Sequence, residues 1–422
     1  MITRIEIEGF KSLQKVALDL GHLNLFIGTN ASGKSNFFDA LRVLQGIGYG
    51  FTVDEIFNGK PKSAGSEVWE PIRGGSEKAA YIHIKENFSD NQDQVIKFHV
   101  ELLIAREMKD KEGQKMAEYP PWKIDYSIGI SPRSECVMSE KFVLNSIPIY
   151  DSEGINNTSN SSSFKVNYFN DEAAEDRQQL EFEKTRPVLC QIHEKIRIYL
   201  KHEEAFHKCI NSLSNMQRIE PIPTKLREYS QTPNAKRMGE QGENFAALVN
   251  TILANKRLKS GYLSWLQELT PAEFEDVIIL KGAKKEPLFA LRENGIDYPG
   301  EILSDGTLRF AAITAAFFQP DMPDVMTIEE IENGIHPSRL RLLVELLKSQ
   351  SQNQQVMATT HSPIVLAWLQ EPDFKTTFFC KRDEETGASL ITPLDQVPRF
   401  MDLVKKQSVI DLFTEGWLEG AL

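Results

Sequence analysis

The most specific pattern in this chain is the stretch Gly28-Thr29-Asn30-Ala31-Ser32-Gly33-Lys34-Ser35. It follows a short apolar run over 23–27 and opens an amphipathic stretch over 36–44, so the pattern predicts a strand, a tight turn and a helix. Glycines in the turn let backbone N–H groups close around an anion, and the lysine adds positive charge at the helix N-terminus. Such a loop is typical of proteins that bind the phosphates of a nucleotide.

Side-chain chemistry predicts the roles within this loop. Lys34 would neutralise the β- and γ-phosphate oxygens, and the Ser35 hydroxyl would bind Mg²⁺. The other predicted nucleotide-binding positions of the loop and the helix start are Gly28, Asn30, Ala31, Ser32, Gly33 and Asn36. The motif therefore predicts ATP and Mg²⁺ as ligands.

A second apolar run, 325–328, ends in two carboxylates, Glu329 and Glu330. It predicts a buried strand that carries both acids at its C-terminal edge, which in a phosphate-loop protein is the Walker B position. Glu329 would then hold the Mg²⁺ shell, and Glu330 would orient and deprotonate the attacking water. An acidic helix start without chemistry is the alternative interpretation of the same pair.

Two further stretches flank the carboxylates. Residues 303–309 (LSDGTLR) precede an apolar helix over 310–318, which Ser304 would cap. Residues 332–336 (ENGIH) follow the acids, and a strand near 356–360 ends before His361. Taken singly, an ordinary capped helix and a structural histidine are the favoured interpretations of these stretches.

In this order the motifs resemble those of ATP-binding-cassette ATPases of the SMC/RecF type, in particular the short prokaryotic AAA-labelled ATPases. The resemblance covers about 1–105 and 275–422. It implies a Walker A loop at 28–35, a signature at 303–309, a catalytic Glu330, a D-loop at 332–336 and a switch histidine at His361. It also implies that Ser304 and Gly306 of one subunit contact the γ-phosphate bound to the other, hence an ATP-sandwiched homodimer that could assemble further.

The predicted fold class is α/β: a P-loop ABC-type ATPase head with a mixed sheet, an antiparallel strand-rich lobe and an inserted helical lobe. The predicted domains are an N-terminal ATPase lobe (1–105), an inserted strand and helical lobe (106–274) and a C-terminal ATPase lobe (275–422). Alternation predicts strands over 80–88, 95–103 and 122–130, whereas apolar spacings of three and four predict helices from 171 to about 217 and around 245–253. Residues 151–163 predict a polar loop.

The remaining stretches predict ordinary elements. Strands over 374–381 and 388–393 would pair, and one or two helices would follow over 401–422. Arg73, in the loop 72–75, could touch DNA or nucleotide, although an exposed loop arginine is the favoured interpretation. No heptad pattern persists, which argues against long coiled-coil arms.

Composition excludes several classes of protein. The 422 residues are 41% hydrophobic, which excludes wholesale disorder, and 48 basic against 60 acidic residues give a net charge of −12. That charge argues against a surface that coats nucleic acid, although basic clusters near 225–227, 236–237 and 256–259 leave local DNA contact open. We expect a cytoplasmic protein without a membrane span, with its four cysteines reduced, mostly buried and not arranged for zinc.

Two functions remain open. The first is an ATP-hydrolysing dimer that couples nucleotide state to DNA binding or sensing, or to control of a separate effector such as a nuclease, in DNA repair or anti-phage defence. The second is a nucleotide-gated scaffold with very slow turnover that holds and releases a toxin or nuclease without acting on DNA. A transporter motor is disfavoured because 303–309 lacks the usual second Gly-Gln of that class.

Overall fold

The computed structural model describes residues 1–60, 69–81, 94–109, 115–155, 161, 163–169, 177–195, 200–269 and 273–421. Within it the chain forms two compact units. Unit 1 comprises Met1–Gly21, Thr29–Met216 and Phe379–Thr392, and unit 2 comprises His22–Gly28, Gln217–Phe378 and Pro393–Leu422.

The strands, in chain order, are β1 (Ile2–Phe10), β2 (Leu13–Asp19), β3 (Leu23–Gly28), β4 (Ile96–Lys109), β5 (Lys115–Ser131), β6 (Cys136–Leu144), β7 (Ile147–Asp151), β8 (Phe164–Phe169), β9 (Arg177–Phe182), β10 (Met216–Ile219), β11 (Phe274–Lys281), β12 (Pro287–Glu293), β13 (Ile296–Pro299), β14 (Val325–Ile328), β15 (Gln355–Thr360), β16 (Thr377–Arg382) and β17 (Ser389–Pro393).

The helices are α1 (Lys34–Gly48), α2 (Val53–Asn58), α3 (Val188–Lys195), α4 (Leu200–Ser214), α5 (Pro223–Leu226), α6 (Phe245–Ala254), α7 (Lys256–Gln267), α8 (Asp305–Phe317), α9 (Pro337–Gln350), α10 (Phe400–Leu403), α11 (Val409–Thr414) and α12 (Trp417–Ala421). Short 3-10 helices cover Ser76–Lys78, Gly300–Ile302, Pro363–Trp368, Glu371–Thr376 and Leu394–Gln396.

Unit 1 is built on an eight-stranded sheet in the order β2-β1-β4-β5-β6-β7-β8-β9, with antiparallel neighbours throughout. Alternation along β1 buries Ile5 and Ile7, whereas Glu6 and Glu8 between and beyond them keep solvent contact. Helices α1 and α4 pack together, and Gly48 permits their close approach because an added Cβ would lie 2.5 Å from the Ser214 amide nitrogen. The prediction that the strand-rich segment extends an antiparallel sheet is confirmed.

Unit 2 contains parallel strands. β14 pairs with β15, and β15 pairs with β3, so the order β14-β15-β3 brings three strand ends to one edge. α6 and α7 pack on α8, where the buried Tyr262 hydroxyl donates to the Ala311 carbonyl at 3.3 Å. A separate antiparallel sheet has the order β11-β12-β13. The α/β fold class is confirmed, while the three predicted domains stay a prediction.

The structure corrects one helix prediction. Residues 177–182, placed in the helical stretch from 171 to about 217, form β9, which pairs along its length with β8. The helical stretch also ends early, because β10 begins at Met216. The sequence RQQLEF lacks a clear period, and pairing with a neighbouring strand overrides weak local preference.

Other predictions fare unevenly. The predicted strand 80–88 lies outside the described residues beyond Tyr81, and part of the predicted loop 151–163 does too. The predicted strands near the C-terminus are confirmed as the neighbours β16 and β17, although Phe374 lies in a 3-10 helix. Three short helices occupy 400–421 instead of one or two.

The burial of the cysteines agrees with the sequence analysis. All four are buried, and none forms a disulfide bond. No helix in the described part of the chain is both long enough and apolar enough to cross a membrane.

Candidate functional site

Within the predicted phosphate loop, the lysine side chain folds back onto the loop. Lys34 is only 5% exposed, and its Nζ donates to the Thr29 carbonyl at 2.7 Å and to the Ser32 hydroxyl at 3.3 Å. Gly33 has a φ of 103°, and an added Cβ would overlap the Ser389 hydroxyl. Only glycine fits this position, because it tolerates both the left-handed backbone and the close neighbour.

Helix α1 is anchored behind the loop by a buried carboxylate. Asp39 forms ion pairs with Lys11 and with Arg73, whose guanidinium nitrogen lies 3.1 Å from Oδ1. Arg73 also donates to the Ser35 carbonyl at 2.8 Å. Arg73 is therefore an exposed loop arginine, as favoured from the sequence, and it also holds the first turn of the helix.

Asn36 lies at the start of the same helix. Its Nδ2 donates to the Ser12 hydroxyl at 2.7 Å, and that hydroxyl lies 2.6 Å from the Ser389 hydroxyl. This chain of hydrogen bonds fixes the side chains beside Gly33, so the first helical turn of unit 1 is held by polar contacts on two sides.

In unit 2, the parallel strand ends bring three predicted motifs to one edge. His361 follows β15, and its Nδ1 lies 2.9 Å from the carbonyl of Gly28, the last residue of β3. A carbonyl only accepts, so Nδ1 carries the proton and Nε2 points elsewhere. That Nε2 lies 3.6 Å from Oε1 of Glu330.

The backbone of Glu330 is held from both sides. Its N–H donates to the Thr359 hydroxyl at 2.9 Å, and its carbonyl accepts from Arg309 at 3.1 Å. Its φ of 49° is in the left-handed region, which is uncommon for a residue other than glycine. The side chain remains 51% exposed. The turn after β14 therefore fixes the backbone position of Glu330 and leaves its carboxylate accessible to solvent.

Glu329 has a different environment. Its side chain is 10% exposed, and its Oε1 lies 3.0 Å from the guanidinium of Arg218. Arg218 also pairs with Glu220 at 3.0 Å and with Glu240 at 3.3 Å. The predicted metal ligand thus belongs to a partly buried network of one arginine and three carboxylates.

The predicted signature segment begins α8. The Ser304 hydroxyl caps the helix by accepting from the Thr307 amide at 3.2 Å, which confirms the predicted cap. Arg227 donates to the Asp305 carboxylate at 2.6 Å. Gly306 is buried, and an added Cβ would lie 2.5 Å from the Gly334 carbonyl in the predicted D-loop. Ser304 stays exposed, so the capped end of α8 is accessible.

The predicted donors suit Mg²⁺ in their chemistry. A serine hydroxyl and a glutamate carboxylate are hard oxygen ligands, which that ion prefers. Ser35 is half-buried at the start of α1, and Glu329 is a buried carboxylate with an arginine on one oxygen. In donor chemistry, each of the two residues taken by itself therefore suits a Mg²⁺ ion.

Sequence reasoning missed Arg218, Arg309 and Thr359. Arg309 lies within the predicted signature directly before an apolar run, and an arginine in that position is itself a signal of a specific partner. Burial lowers the pKa of Arg309 from its ordinary value. Arg218 and Thr359 lie in or beside strands without any local pattern that distinguishes them.

A family model described as "AAA ATPase domain" matches residues 1–260. A second model, described as an AAA domain and a suggested AbiEii toxin of a type IV TA system, matches residues 196–367. A Helicobacter pylori protein named "ATP/GTP phosphatase" is 33% identical over 98 residues, which are 21% of this chain and 26% of the relative. The match thus spans about a quarter of that relative's length.

Solved structures with a similar course of the chain include SMC head domains. The head domain from Thermotoga maritima has a TM-score of 0.43 and 13% identity, over 93% of this chain and 98% of that one. A head domain bound to the C-terminal domain of ScpA, derived from Pyrococcus furiosus, has a TM-score of 0.48 and 11% identity, over 96% of this chain and 99% of that one.

The "AAA ATPase domain" model matches more than half of the chain, and the phosphate loop lies within the matched residues. The predicted AAA-labelled ATPase family is therefore confirmed, and this chain belongs to the family of AAA ATPase domains.

Proposed function

We propose that the chain binds Mg²⁺-ATP on the loop 28–35 and hydrolyses it to ADP and phosphate. The observation that carries the proposal is the position of Glu330, whose backbone is held by Thr359 and Arg309 while its half-exposed carboxylate lies 3.6 Å from His361. A glutamate whose backbone is fixed and whose carboxylate is exposed to solvent suits the role of a general base that accepts a proton from water.

The chain's own residues would act as follows. Lys34 would exchange its hydrogen bonds to Thr29 and Ser32 for hydrogen bonds to phosphate oxygens. Its positive charge would then stabilise the negative charge that develops on the γ-phosphate. Glu330 would accept the proton of the attacking water at its carboxylate. His361, oriented by Gly28, would keep that carboxylate or the water in place. Mg²⁺, held by Ser35 and Glu329, would supply further neutralisation of the phosphates.

The proposal extends to assembly. Ser304 is exposed at the capped start of α8, whose N–H groups and dipole favour an anion. In an ATP-bound homodimer, Ser304 and Gly306 of one subunit would contact the γ-phosphate held by the other. Nucleotide state would then control DNA binding or sensing, or a separate effector such as a nuclease, in DNA repair or anti-phage defence.

One observation favours the second candidate, a nucleotide-gated scaffold with very slow turnover. Arg218 lies 3.0 Å from Glu329, so a cation already balances the carboxylate that would serve Mg²⁺. A metal shell weakened in this way would allow ATP to bind and join two subunits while hydrolysis stays slow. The output would then be the holding and release of a toxin or nuclease.

ATP hydrolysis by the purified chain tests the proposal, measured with and without linear double-stranded DNA. We expect hydrolysis that Lys34→Ala and Glu330→Gln reduce by at least about a hundredfold, because each removes a group used in the transition state. Glu345→Gln, an exposed glutamate on α9, is the matched control and should leave the rate unchanged.

The outcomes separate the candidates. Stimulation by DNA that both variants lose would support the DNA-coupled ATPase. Slow hydrolysis indifferent to DNA, with ATP binding that depends on Lys34, would support the scaffold. Hydrolysis by Glu330→Gln at the rate of the unmodified chain would show that Glu330 is not the general base.

A further inference from the structure

We propose that His99, Glu101 and Asp125 form a binding site for a divalent metal ion of the zinc class on the solvent-facing side of the unit 1 sheet. The three side chains each offer one ligand atom, and these atoms lie within 4.8 Å of one another. The proposal is independent of the nucleotide chemistry, which uses other residues.

Strand register brings the ligands together. His99 and Glu101 are two residues apart on β4, so their side chains share one face. Asp125 on β5 lies directly opposite Glu101, and Ser127 lies directly opposite His99. β4 and β5 are interior strands of the sheet, so the ligands stand on a rigid scaffold.

The imidazole is oriented as a metal ligand needs. The His99 Nδ1 lies 2.8 Å from the Ser127 hydroxyl. When Nδ1–H donates to that oxygen, Nε2 keeps its lone pair and faces the carboxylates. The distance from Nε2 to Oε1 of Glu101 is 3.9 Å, which is too long for a hydrogen bond. Such a distance suits two ligand atoms that bind the same metal ion.

The charges around the cluster favour a cation. Glu101 and Asp125 are carboxylates directly opposite each other on antiparallel strands, an arrangement that destabilises a sheet unless a cation lies between them. Lys123 pairs with Glu101 at 3.4 Å but is 54% exposed. Within the described ranges, the Asp125 carboxylate has no ion-pair partner.

The nearby side chains leave the site accessible. Arg4 lies opposite Glu101 in the register with β1, but it forms ion pairs with Glu6 and Asp19 at 2.8 and 2.7 Å. An open groove of about 200 Å³ on the same face is lined by His99 and Ser127 among others, which gives an ion a route from solvent.

The donor set specifies the class of ion. One imidazole nitrogen and two carboxylate oxygens are ligands that zinc and its neighbours accept, whereas the harder Mg²⁺ rarely uses imidazole. Three protein ligands leave a fourth position for water. The cysteines are not involved, in agreement with the sequence analysis.

Metal titration of the full-length chain tests the site. The protein is treated with chelator, freed of it, and titrated without nucleotide with Zn²⁺ in the presence of a competing dye and with Co²⁺ followed by its visible absorption. We expect Asp125→Asn and His99→Gln each to weaken one equivalent of binding by at least about tenfold, because each removes a ligand. Any metal bound at Glu329 or Glu330 is common to all variants and cancels in the comparison.

Two controls sharpen the result. Glu8→Gln changes an exposed carboxylate on β1, on the same side of the sheet but outside the cluster, and should leave binding unchanged. Lys123→Met removes the competing cation and should bind at least as tightly. Thermal unfolding of each metal-free variant establishes that it is folded. If Asp125→Asn proves to be unfolded, His99→Gln alone tests the loss of a ligand.

Two results would overturn the proposal. The first is that Asp125→Asn and His99→Gln bind as many equivalents of metal as the unmodified chain, with the same affinity. The second is that Lys123→Met binds the metal more weakly than the unmodified chain.

Discussion

At the scale of single residues, adjacent glutamates have opposite environments. Glu330 is half-exposed with its backbone fixed, whereas Glu329 is largely buried against Arg218. Both residues lie beyond the last residue of β14, and Glu330 has a left-handed φ of 49°, so the turn rather than strand alternation sets the directions of the two side chains. The first glutamate is therefore bound to the protein's own charges, and the second is available to chemistry.

The Arg218 network should matter for stability. Arg218→Ala leaves Glu329 largely buried without its cation, so we expect the free energy of unfolding to fall by about 2 kcal/mol, less than for a fully buried pair because Arg218 is 23% exposed. Urea unfolding measures the change. Arg341→Ala, which breaks an exposed pair with Glu345 on α9, is the control and should cost about 0.5 kcal/mol or less. Equal losses in both variants would contradict a structural role for the Arg218 network.

At the scale of elements, close contacts at glycines decide how the helices begin. Gly306 lets α8 approach the carbonyl of Gly334, and Gly33 lets α1 begin beside Ser389. These contacts leave no room for a side chain. The turn after β14 and the start of α8 therefore depend on each other.

Gly306→Ala tests this packing. The added methyl would lie 2.5 Å from the Gly334 carbonyl, so one backbone must shift, and we expect a loss of about 1 to 3 kcal/mol in the free energy of unfolding. Gly420→Ala in α12 is the matched control, because an added Cβ there has no neighbour within 4 Å among the described residues. The control should be neutral or slightly stabilising. A Gly306→Ala variant as stable as the control would rule out the tight contact.

A buried carboxylate joins two other elements of unit 1. Glu140 on β6 accepts from the Val188 and Leu189 amides at the start of α3, at 2.7 and 2.9 Å, and from the hydroxyls of Tyr126 and Tyr150. Burial raises the pKa of Glu140 to about 7, although these hydrogen bonds oppose the rise. The folded chain therefore holds a proton there at pH values where the unfolded chain has lost it.

The consequence is a specific dependence of stability on pH. The folded pKa of Glu140 is about 7 and the usual value is 4.5. The contribution of this group to the free energy of unfolding therefore falls by about 3 kcal/mol as the pH rises from 4.5 to 7, and it stays constant at higher pH. Glu140→Gln should lose that slope in unfolding experiments from pH 4.5 to 8, whatever its absolute stability. Glu153→Gln, at an 81% exposed side chain, should keep it. Parallel curves for Glu140→Gln and the unmodified chain would refute the raised pKa.

At the scale of the whole molecule, the chain passes repeatedly between two units, and each unit is assembled from distant segments. Unit 1 contains the first turn of α1, and unit 2 contains Glu330 and His361. The exposed start of α8, also in unit 2, would face a second copy in the proposed dimer.

Dimer formation tests that proposal directly. Glu330→Gln should bind ATP without hydrolysing it, so light scattering after gel filtration should show twice the chain mass with Mg²⁺-ATP and one chain mass without nucleotide. Adding Ser304→Arg to this variant should keep it monomeric, because a large side chain at the exposed cap obstructs the contact. A monomer in Glu330→Gln under saturating ATP would contradict the sandwich.

Features that depend on neighbouring residues could be predicted from the sequence: the strand-turn-helix at 23–44, the strand before Glu329, the Ser304 cap and the alternation of the unit 1 strands. These follow from local spacing and turn chemistry, which a short segment contains in full. The helix predicted across 177–182 was wrong, because its structure depends on a partner strand.

Contacts between distant groups, by contrast, are visible only in the folded chain. His361 contacts Gly28 across most of the chain length, Arg218 pairs with Glu329, and Arg309 holds the Glu330 carbonyl. No local pattern encodes these pairs, because they depend on which strands lie side by side and on the parallel register of β14, β15 and β3. At the edge of that sheet, residues from separate motifs lie close together and form one candidate site.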